Sequence, residues 1–148
     1  MNTEVEIVLT TVHVGKARRV VTIGFNGKDL AKDFLLSLAK SNREGFEMIQ
    51  TRIKAVAAHD DYENKYTFRH IEAGVYEFKR PGLRLYAFYD ELPGFKPQLI
   101  IATNGGTKNT EKDQSKDIAK ALSIKQRYLA LKAESSSKIK LTTLPNEY

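Results

Sequence analysis

The chain has 148 residues, 41% of them hydrophobic and 28% charged, a composition that fits one compact domain and excludes a disordered protein. It contains no cysteine, which excludes disulfides and thiolate metal sites. The net charge is +6, and residues 75–148 hold 13 Lys and Arg against 8 Asp and Glu, which favours a polyanionic partner, either nucleic acid or an acidic protein.

The first two predicted elements are strands. Val5–Val14 and Arg18–Phe25 are rich in Val, Ile and Thr, which favour extended backbone. Gly15 lies in the short segment between them, so the two strands are predicted to pair as a β-hairpin. The dipeptide Asn26-Gly27 has the chemistry of a turn and is predicted to end the second strand.

Two helices are predicted after the hairpin. From Lys28 onward, apolar residues recur every three or four positions, which is the helical period. Ser41 and Glu44 have the spacing of a capping box, so they predict the start of a second helix, which ends near Ala58. Two amphipathic helices joined by a short loop predict a helical hairpin that lies on one face of a sheet.

The sheet is predicted from the segments that follow. Tyr66–His70 leads into Gly74–Lys79, and a tight turn joins the latter to Leu83–Tyr89, so these two strands are predicted to pair. A polar loop is predicted over Asp90–Pro97. The short apolar run Gln98–Asn104 then predicts a central strand that is buried on both faces.

The last predicted helix spans Asp113–Lys132. Its predicted buried face consists of three apolar residues: Ile118, Leu122 and Leu129. Residues 133–148 are rich in serine and predict a mobile tail. The predicted fold class is therefore α+β, with N-terminal strands and a helical hairpin packed on an antiparallel sheet, a C-terminal helix, and a single domain over residues 1–132.

An arginine interrupts the apolar pattern of one predicted strand. Arg84 lies on the same side of its strand as Tyr86 and Phe88, where a cation is costly unless it has a partner or a task. On the preceding strand, Glu77 shares one side with Lys79. Two roles for Arg84 therefore stay open: an ion pair with Glu77 across the hairpin, or contact with an anion.

A glycine-rich segment follows the predicted central strand. Thr103–Lys112 contains Gly105 and Gly106, and glycines after a buried strand let backbone amides approach an anion. The spacing does not match a phosphate-binding P-loop. On its residues alone the segment is a weak anion site, and a surface turn with solvated lysines is the alternative.

These segments occur in the order found in a known protein family. The series Gly74–Tyr86, Leu99–Lys112 and Asp117–Ala121, preceded by Lys28–Leu35, resembles the RelE/ParE toxin superfamily, most closely its HigB-like and phage-derived branches. The resemblance covers about residues 18–132. It implies a RelE-like fold. Three residues depart from the family pattern. Lys79 stands where the family has an arginine, Gly106 where it often has an aromatic residue, and Asn109 where it has a lysine.

The resemblance implies the toxin of a toxin–antitoxin pair, an mRNA endonuclease that acts alone or with the ribosome. Its partners would be a cognate antitoxin and mRNA. Attack of the ribose 2′-OH on the adjacent phosphodiester needs no metal and no cofactor, but it needs stabilisation of the phosphoryl charge and transfer of two protons.

We predict site residues for this reaction as follows: Arg84 with Lys79 beside it for phosphate stabilisation, Tyr128 or His70 for proton transfer, and Arg80, Lys108 and Lys112 for the RNA backbone. The alternative role of Tyr128 is core packing, and that of each lysine is solvated surface charge.

Two other functions stay open. One is a ParE-like toxin that inhibits gyrase by protein contact without catalysis, and the other is an inactive phage-derived domain that binds RNA or protein. The three histidines lack the spacing of a zinc site. The acidic N-terminus does not resemble a signal peptide and no apolar run is long enough to span a bilayer, so a cytoplasmic location without membrane partners is expected.

Overall fold

The computed structural model describes residues 5–59, 66–107, 110–134 and 139–144. Within these ranges the chain is α+β, as predicted, and its elements follow in this order: β1 (Ile7–Val14), β2 (Arg18–Phe25), α1 (Leu30–Ser41), α2 (Arg43–Ala58), β3 (Phe68–Glu72), β4 (Val75–Arg80), β5 (Leu83–Leu92), β6 (Phe95–Thr107), α3 (Glu111–Glu134) and β7 (Ile139–Thr143). None of the helices in these ranges is long and apolar enough to cross a membrane.

The sheet is mixed, whereas an antiparallel sheet was predicted. Its seven strands have the order β3-β4-β5-β6-β2-β1-β7. β2 is parallel to β6 and β1 is parallel to β7, while the remaining neighbours are antiparallel. Parallel neighbours require a long connection, and in both pairs many residues separate the two strands along the chain. The prediction of an antiparallel sheet is therefore wrong for these two strand pairs. Local sequence patterns identify strands, but they do not show which strands become neighbours in the sheet.

β5 and β6 lie at the middle of the sheet. Leu99–Asn104 of β6 is buried throughout, which confirms the predicted central strand. The prediction of a loop over Asp90–Pro97 is wrong, because β5 and β6 extend into this range and leave only Pro93 and Gly94 between them. Proline suits the first central position of a type II turn, and Gly94 has the positive φ of 85° that the second position requires.

The helical hairpin of α1 and α2 covers one face of the sheet, as predicted. Its buried side chains pack on those of the strands below: Leu35, Leu38, Phe46, Ile49, Ile53 and Val56 against Val20, Phe68, Phe78, Leu85, Ala87 and Ile100. The strand residues alternate along β4 and β5, so Phe78 and Leu85 point to this face and their chain neighbours to the other.

The start of α2 differs from the predicted capping box. The cap is Asn42, whose Oδ1 accepts a hydrogen bond from the Gly45 amide at 3.0 Å. The Ser41 hydroxyl instead donates to the Ser37 carbonyl of the preceding helix at 2.8 Å. The capping box of Ser41 and Glu44 is therefore a wrong prediction, displaced by one residue because asparagine caps a helix as well as serine does.

α3 crosses the other face of the sheet. Its buried residues are Ala121 and Tyr128, whereas Ile118 and Leu122 are half-buried. Leu129 is 41% exposed, so the prediction of a buried Leu129 is wrong. Neighbouring helix residues point about 100° apart, and the burial of Tyr128 therefore turns Leu129 toward solvent.

Residues 139–143 form a strand where a tail was predicted. β7 pairs in parallel register with β1, from Ile7 opposite Ile139 to Thr11 opposite Thr143. Ile139 and the residue after the strand, Leu144, are both buried. The prediction of a mobile tail is therefore corrected for 139–144. A five-residue strand after a serine-rich segment carries too little periodicity to be recognised from sequence.

Candidate functional site

A buried carboxylate lies in the middle of β4, on the face covered by α3. Glu77 is fully buried, and its Oε2 accepts a hydrogen bond from Arg69 Nε at 2.8 Å. Its Oε1 accepts one from Gln114 Nε2 at 3.2 Å and lies 3.4 Å from Arg84 Nε. The four residues, here called the Glu77 cluster, come from β3, β4, β5 and α3 and join the start of the helix to the sheet.

Arg84 is held inside the Glu77 cluster. Only 4% of the residue is exposed. Its Nη1 donates to the carbonyl oxygens of Arg80 at 2.9 Å and Leu83 at 2.8 Å, both at the end of the β4–β5 hairpin. The ion pair with Glu77, one of the two roles that the sequence left open for Arg84, is therefore present. A buried guanidinium beside a carboxylate is largely neutralised, which weakens its attraction for a phosphate.

Further polar groups extend the buried layer toward α3. The Thr103 hydroxyl donates to Asn104 Oδ1 at 2.7 Å, and Asn104 Nδ2 donates to the Asp117 carbonyl of α3 at 3.0 Å. Burial, and secondarily the charge of Glu77, raises the pKa of Tyr86 to about 12. Sequence reasoning missed Asn104 and Gln114, although an asparagine at the end of an apolar strand was the available indication.

The glycines of β6 serve close packing. Gly105 and Gly106 continue the strand and pair with Leu85 and Arg84 of β5. A Cβ at Gly105 would collide with the Phe34 ring of α1, and one at Gly106 would collide with the Asp117 carboxylate of α3. Both helices therefore approach the strand closely on opposite faces. The two glycines belong to the ladder, and they do not form the open anion-binding turn that the sequence suggested.

Tyr128 lies far along α3 from the Glu77 cluster. It is fully buried, and its hydroxyl donates to Asp90 Oδ2 at 2.6 Å, while its ring packs on Phe88 with centroids 5.6 Å apart. Burial, with the hydrogen bond and charge of Asp90 added, raises the pKa of this phenol. Fourteen residues separate Tyr128 from Gln114, about 20 Å of helix at roughly 1.5 Å per residue. Its contacts are those of a packing residue.

His70 lies on the opposite face of the sheet from Arg84. It pairs with Tyr76 across β3 and β4, and its ring meets the edge of the Tyr76 ring, which packs against the core under the helical hairpin. Its Nε2 accepts a hydrogen bond from the Gly74 amide at 3.1 Å. The structure therefore does not bring His70, Tyr128 and Arg84 into one site.

Five cations lie on the elements that supply the Glu77 cluster and are here called the basic rim: Arg69, itself a member of the cluster, with Lys79 and Arg80 of β4 and Lys112 and Lys116 of α3. Lys112 and Lys116 are exposed on the first turns of α3, and the Arg69 side chain is 41% exposed. Lys79 and Arg80 are half-buried at the end of β4. Two exposed carboxylates of the first helical turn, Glu111 and Asp113, lie among these cations. Lys108, another predicted RNA contact, lies outside the described residues.

Among the residues that the structure describes, no three His, Cys, Asp or Glu side chains are grouped closely enough to hold a metal ion. Comparison with protein-family models, curated proteins and solved structures finds no match for the chain. The resemblance to RelE/ParE toxins therefore remains a prediction from the sequence.

Proposed function

We propose that the chain is a RelE-like toxin that cleaves mRNA, alone or with the ribosome, and that a cognate antitoxin neutralises it. The observation that carries the proposal is the basic rim, whose cations lie on β3, the end of β4 and the first turns of α3. The sequence resemblance assigns its RNA contacts to the same segments. The chain is α+β, the fold class that the resemblance implies, but its sheet is mixed and a seventh strand follows α3.

The proposed chemistry needs cations around one phosphodiester. The ribose 2′-hydroxyl loses its proton to water and its oxygen attacks the phosphorus, the 5′-oxygen leaves and takes a proton from water, and negative charge grows on the two non-bridging oxygens. Lys79, Arg80 and Lys112 are the predicted phosphate contacts. Arg84 becomes a positioning residue, because its guanidinium binds the Arg80 carbonyl and Glu77 rather than facing solvent. His70 and Tyr128 have no part in the proposed site, since His70 lies on the other face of the sheet and Tyr128 lies far along α3.

One observation favours a second candidate, a toxin or binding domain that acts by protein contact without catalysis. Arg84, the residue predicted to stabilise the phosphate, is 4% exposed and paired with the buried Glu77. A gyrase inhibitor of the ParE type needs no phosphate site. It would use the same basic surface to bind an acidic partner.

The test is growth and transcript integrity after induction of the full chain in bacterial cells. Arg84 is a poor choice for substitution because its loss would leave Glu77 unpaired in the interior. The rim variant Lys79→Ala/Lys112→Ala removes two charges at the predicted phosphate contacts. Its matched control, Lys40→Ala/Lys54→Ala, removes two exposed lysines from the helical hairpin on the other face.

The nuclease proposal expects growth arrest with cleaved mRNA in the wild type and the control, and relief of both in the rim variant. Growth arrest in which the mRNA stays intact but the DNA is damaged would overturn the nuclease proposal in favour of gyrase inhibition. Normal growth with intact mRNA in wild-type cells, with soluble protein confirmed by immunoblot, would overturn both toxin proposals.

A further inference from the structure

A groove separate from the basic rim lies on the face covered by α3. It has a volume of about 250 Å³ and opens between the end of β2, the first turn of α1 and the middle of α3. It shares no residue with the basic rim, and its lining consists of Ile23, Phe25, Lys28, Leu30, Thr103, Lys120, Ser123, Ile124 and Arg127.

The charged residues that line the groove are all cations. Lys28 comes from the β2–α1 connection, and Lys120 and Arg127 lie two turns apart on α3, so three positive side chains converge on a small volume. No carboxylate belongs to the lining. Asp117, the carboxylate nearest along the chain to Lys120, is partly buried, and burial raises its pKa despite the opposing effect of Lys120. Converging like charges repel one another, and an anion would relieve that repulsion.

The inner surface of the groove is apolar and partly aromatic. Ile23, Phe25 and Ile124 belong to one hydrophobic cluster beneath α3, and Leu30 adds to the lining at the first residue of α1. The Arg127 guanidinium lies 4.3 Å from the centroid of the Phe25 ring. Cations around an apolar surface suit a ligand that carries both a phosphate and a flat ring.

The start of α1 adds positive potential on the same side. Leu30 lines the groove as the first helical residue, and the first amides of a helix have no intrahelical acceptor. Asp29, the buried cap of α1, accepts from the Thr22 hydroxyl at 2.6 Å and the Lys32 amide at 2.8 Å, and together with Asp33 in the first turn it offsets part of this potential. The positive charge of the groove therefore comes mainly from Lys28, Lys120 and Arg127.

We propose that this groove binds a single phosphorylated nucleotide unit, with the phosphate against Lys28, Lys120 and Arg127 and the base against the apolar surface. The volume of about 250 Å³ is below the roughly 300–1,000 Å³ of pockets that enclose drug-sized ligands, so the groove would cover only part of one nucleotide and is too small for a dinucleotide cofactor. The nucleotide is either a free nucleoside monophosphate or the phosphorylated end of an RNA. The proposal does not rest on nuclease activity.

The test is calorimetric titration of the full chain with AMP, adenosine and inorganic phosphate. AMP is expected to bind more tightly than either of its parts, since it uses both the cations and the apolar surface. Lys28→Ala/Lys120→Ala should weaken AMP binding by about tenfold or more, a loss of roughly 1.4 kcal/mol. The Lys40→Ala/Lys54→Ala control should bind AMP like the wild type, and so should the rim variant, which separates this result from the proposed function.

Two further measurements make the outcome decisive. Amide resonances of Lys28, Leu30 and Ser123 should shift when AMP is added to the wild type. This measurement does not depend on whether any variant folds. A 5′-phosphorylated oligoribonucleotide that binds more tightly than its unphosphorylated form identifies an RNA end as the ligand, whereas equal binding of the two alongside AMP binding identifies the free nucleotide. Absence of AMP binding, equal affinity for AMP and phosphate, or an unchanged affinity in the groove variant would overturn the proposal.

Discussion

Glu77 and Arg84 form an ion pair in which both partners are buried. The Glu77 side chain has no exposed surface and that of Arg84 has 5%, while the second arginine of the cluster, Arg69, has a side chain that is 41% exposed. Removing one partner of a buried pair leaves the other charge uncompensated in a medium of low dielectric constant. The two arginines that contact one carboxylate therefore differ greatly in what their interaction with Glu77 contributes to stability.

Glu77→Ala should lower the free energy of unfolding by about 3–5 kcal/mol, because it leaves the buried Arg84 without its carboxylate. Arg69→Ala should cost about 1 kcal/mol or less, since water screens an exposed partner. Urea denaturation followed by far-UV circular dichroism measures both values. Equal, small losses in the two variants would show that Arg84 is not dependent on Glu77 for its place in the core.

At the scale of single residues, the sequence predicted partners better than it predicted surroundings. Strand alternation places Glu77 and Arg84 on one side of the sheet, and their ion pair was one of the two roles left open for Arg84. Their burial depends on α3, whose position no local pattern contains. The same holds for Gly105 and Gly106, which lie directly against the Phe34 ring and the Asp117 carboxylate of distant helices.

At the scale of elements, the Asp29 side chain joins β2 to α1 by hydrogen bonds, while its burial opposes the charged form that accepts them. Its carboxylate caps the helix through the Lys32 amide and accepts from the Thr22 hydroxyl of β2. Burial nevertheless disfavours its charged form and raises its pKa above the usual value of 3.8. An acid whose pKa is higher in the folded state binds its proton more tightly there. Its contribution to stability therefore rises as the pH falls through the raised folded value.

Asp29→Asn should change the stability at pH 7 by no more than about 1 kcal/mol, because asparagine keeps the cap without burying a charge. The wild type should then gain stability relative to this variant as the pH falls from 7 toward the acid range. Asp33→Asn removes an exposed carboxylate from the same first turn and serves as the control. Urea denaturation at a series of pH values from 7 down to the ordinary Asp value of 3.8 measures the difference, and parallel pH dependence of the two variants over that whole range would contradict it.

The elements themselves were largely predictable from sequence, but their assembly was not. The periods of 2 and 3.6 located both strand pairs, the helical hairpin, the central strand and α3. The parallel pairing of β1 with β7 joins residues more than 130 positions apart, and nothing local to either strand specifies it. The turn at Gly94 was hidden for a different reason, since the prolines around it weaken the strand pattern on both sides.

At the scale of the whole molecule, the two faces of the sheet are covered very differently. α2 has 16 residues and buries six, among them Phe46, Ile49 and Ile53. α3 has 24 residues and buries two, Ala121 and Tyr128, and much of its contact with the sheet is polar. Apolar burial is the main source of helix stability in proteins, so α3 should be the less firmly held layer.

We therefore expect native-state hydrogen exchange to show α3 opening at a lower free energy than α2 and β6. Tyr128→Phe removes the hydroxyl that donates to Asp90. The loss of this hydrogen bond should lower the free energy of opening α3 by about 1 kcal/mol, which speeds exchange in α3 roughly fivefold and leaves exchange in α2 unchanged. Exchange of α3 only at the free energy of global unfolding would contradict this expectation. Because α3 supplies Gln114 to the Glu77 cluster, its opening would also break the hydrogen bond that Gln114 donates to Glu77.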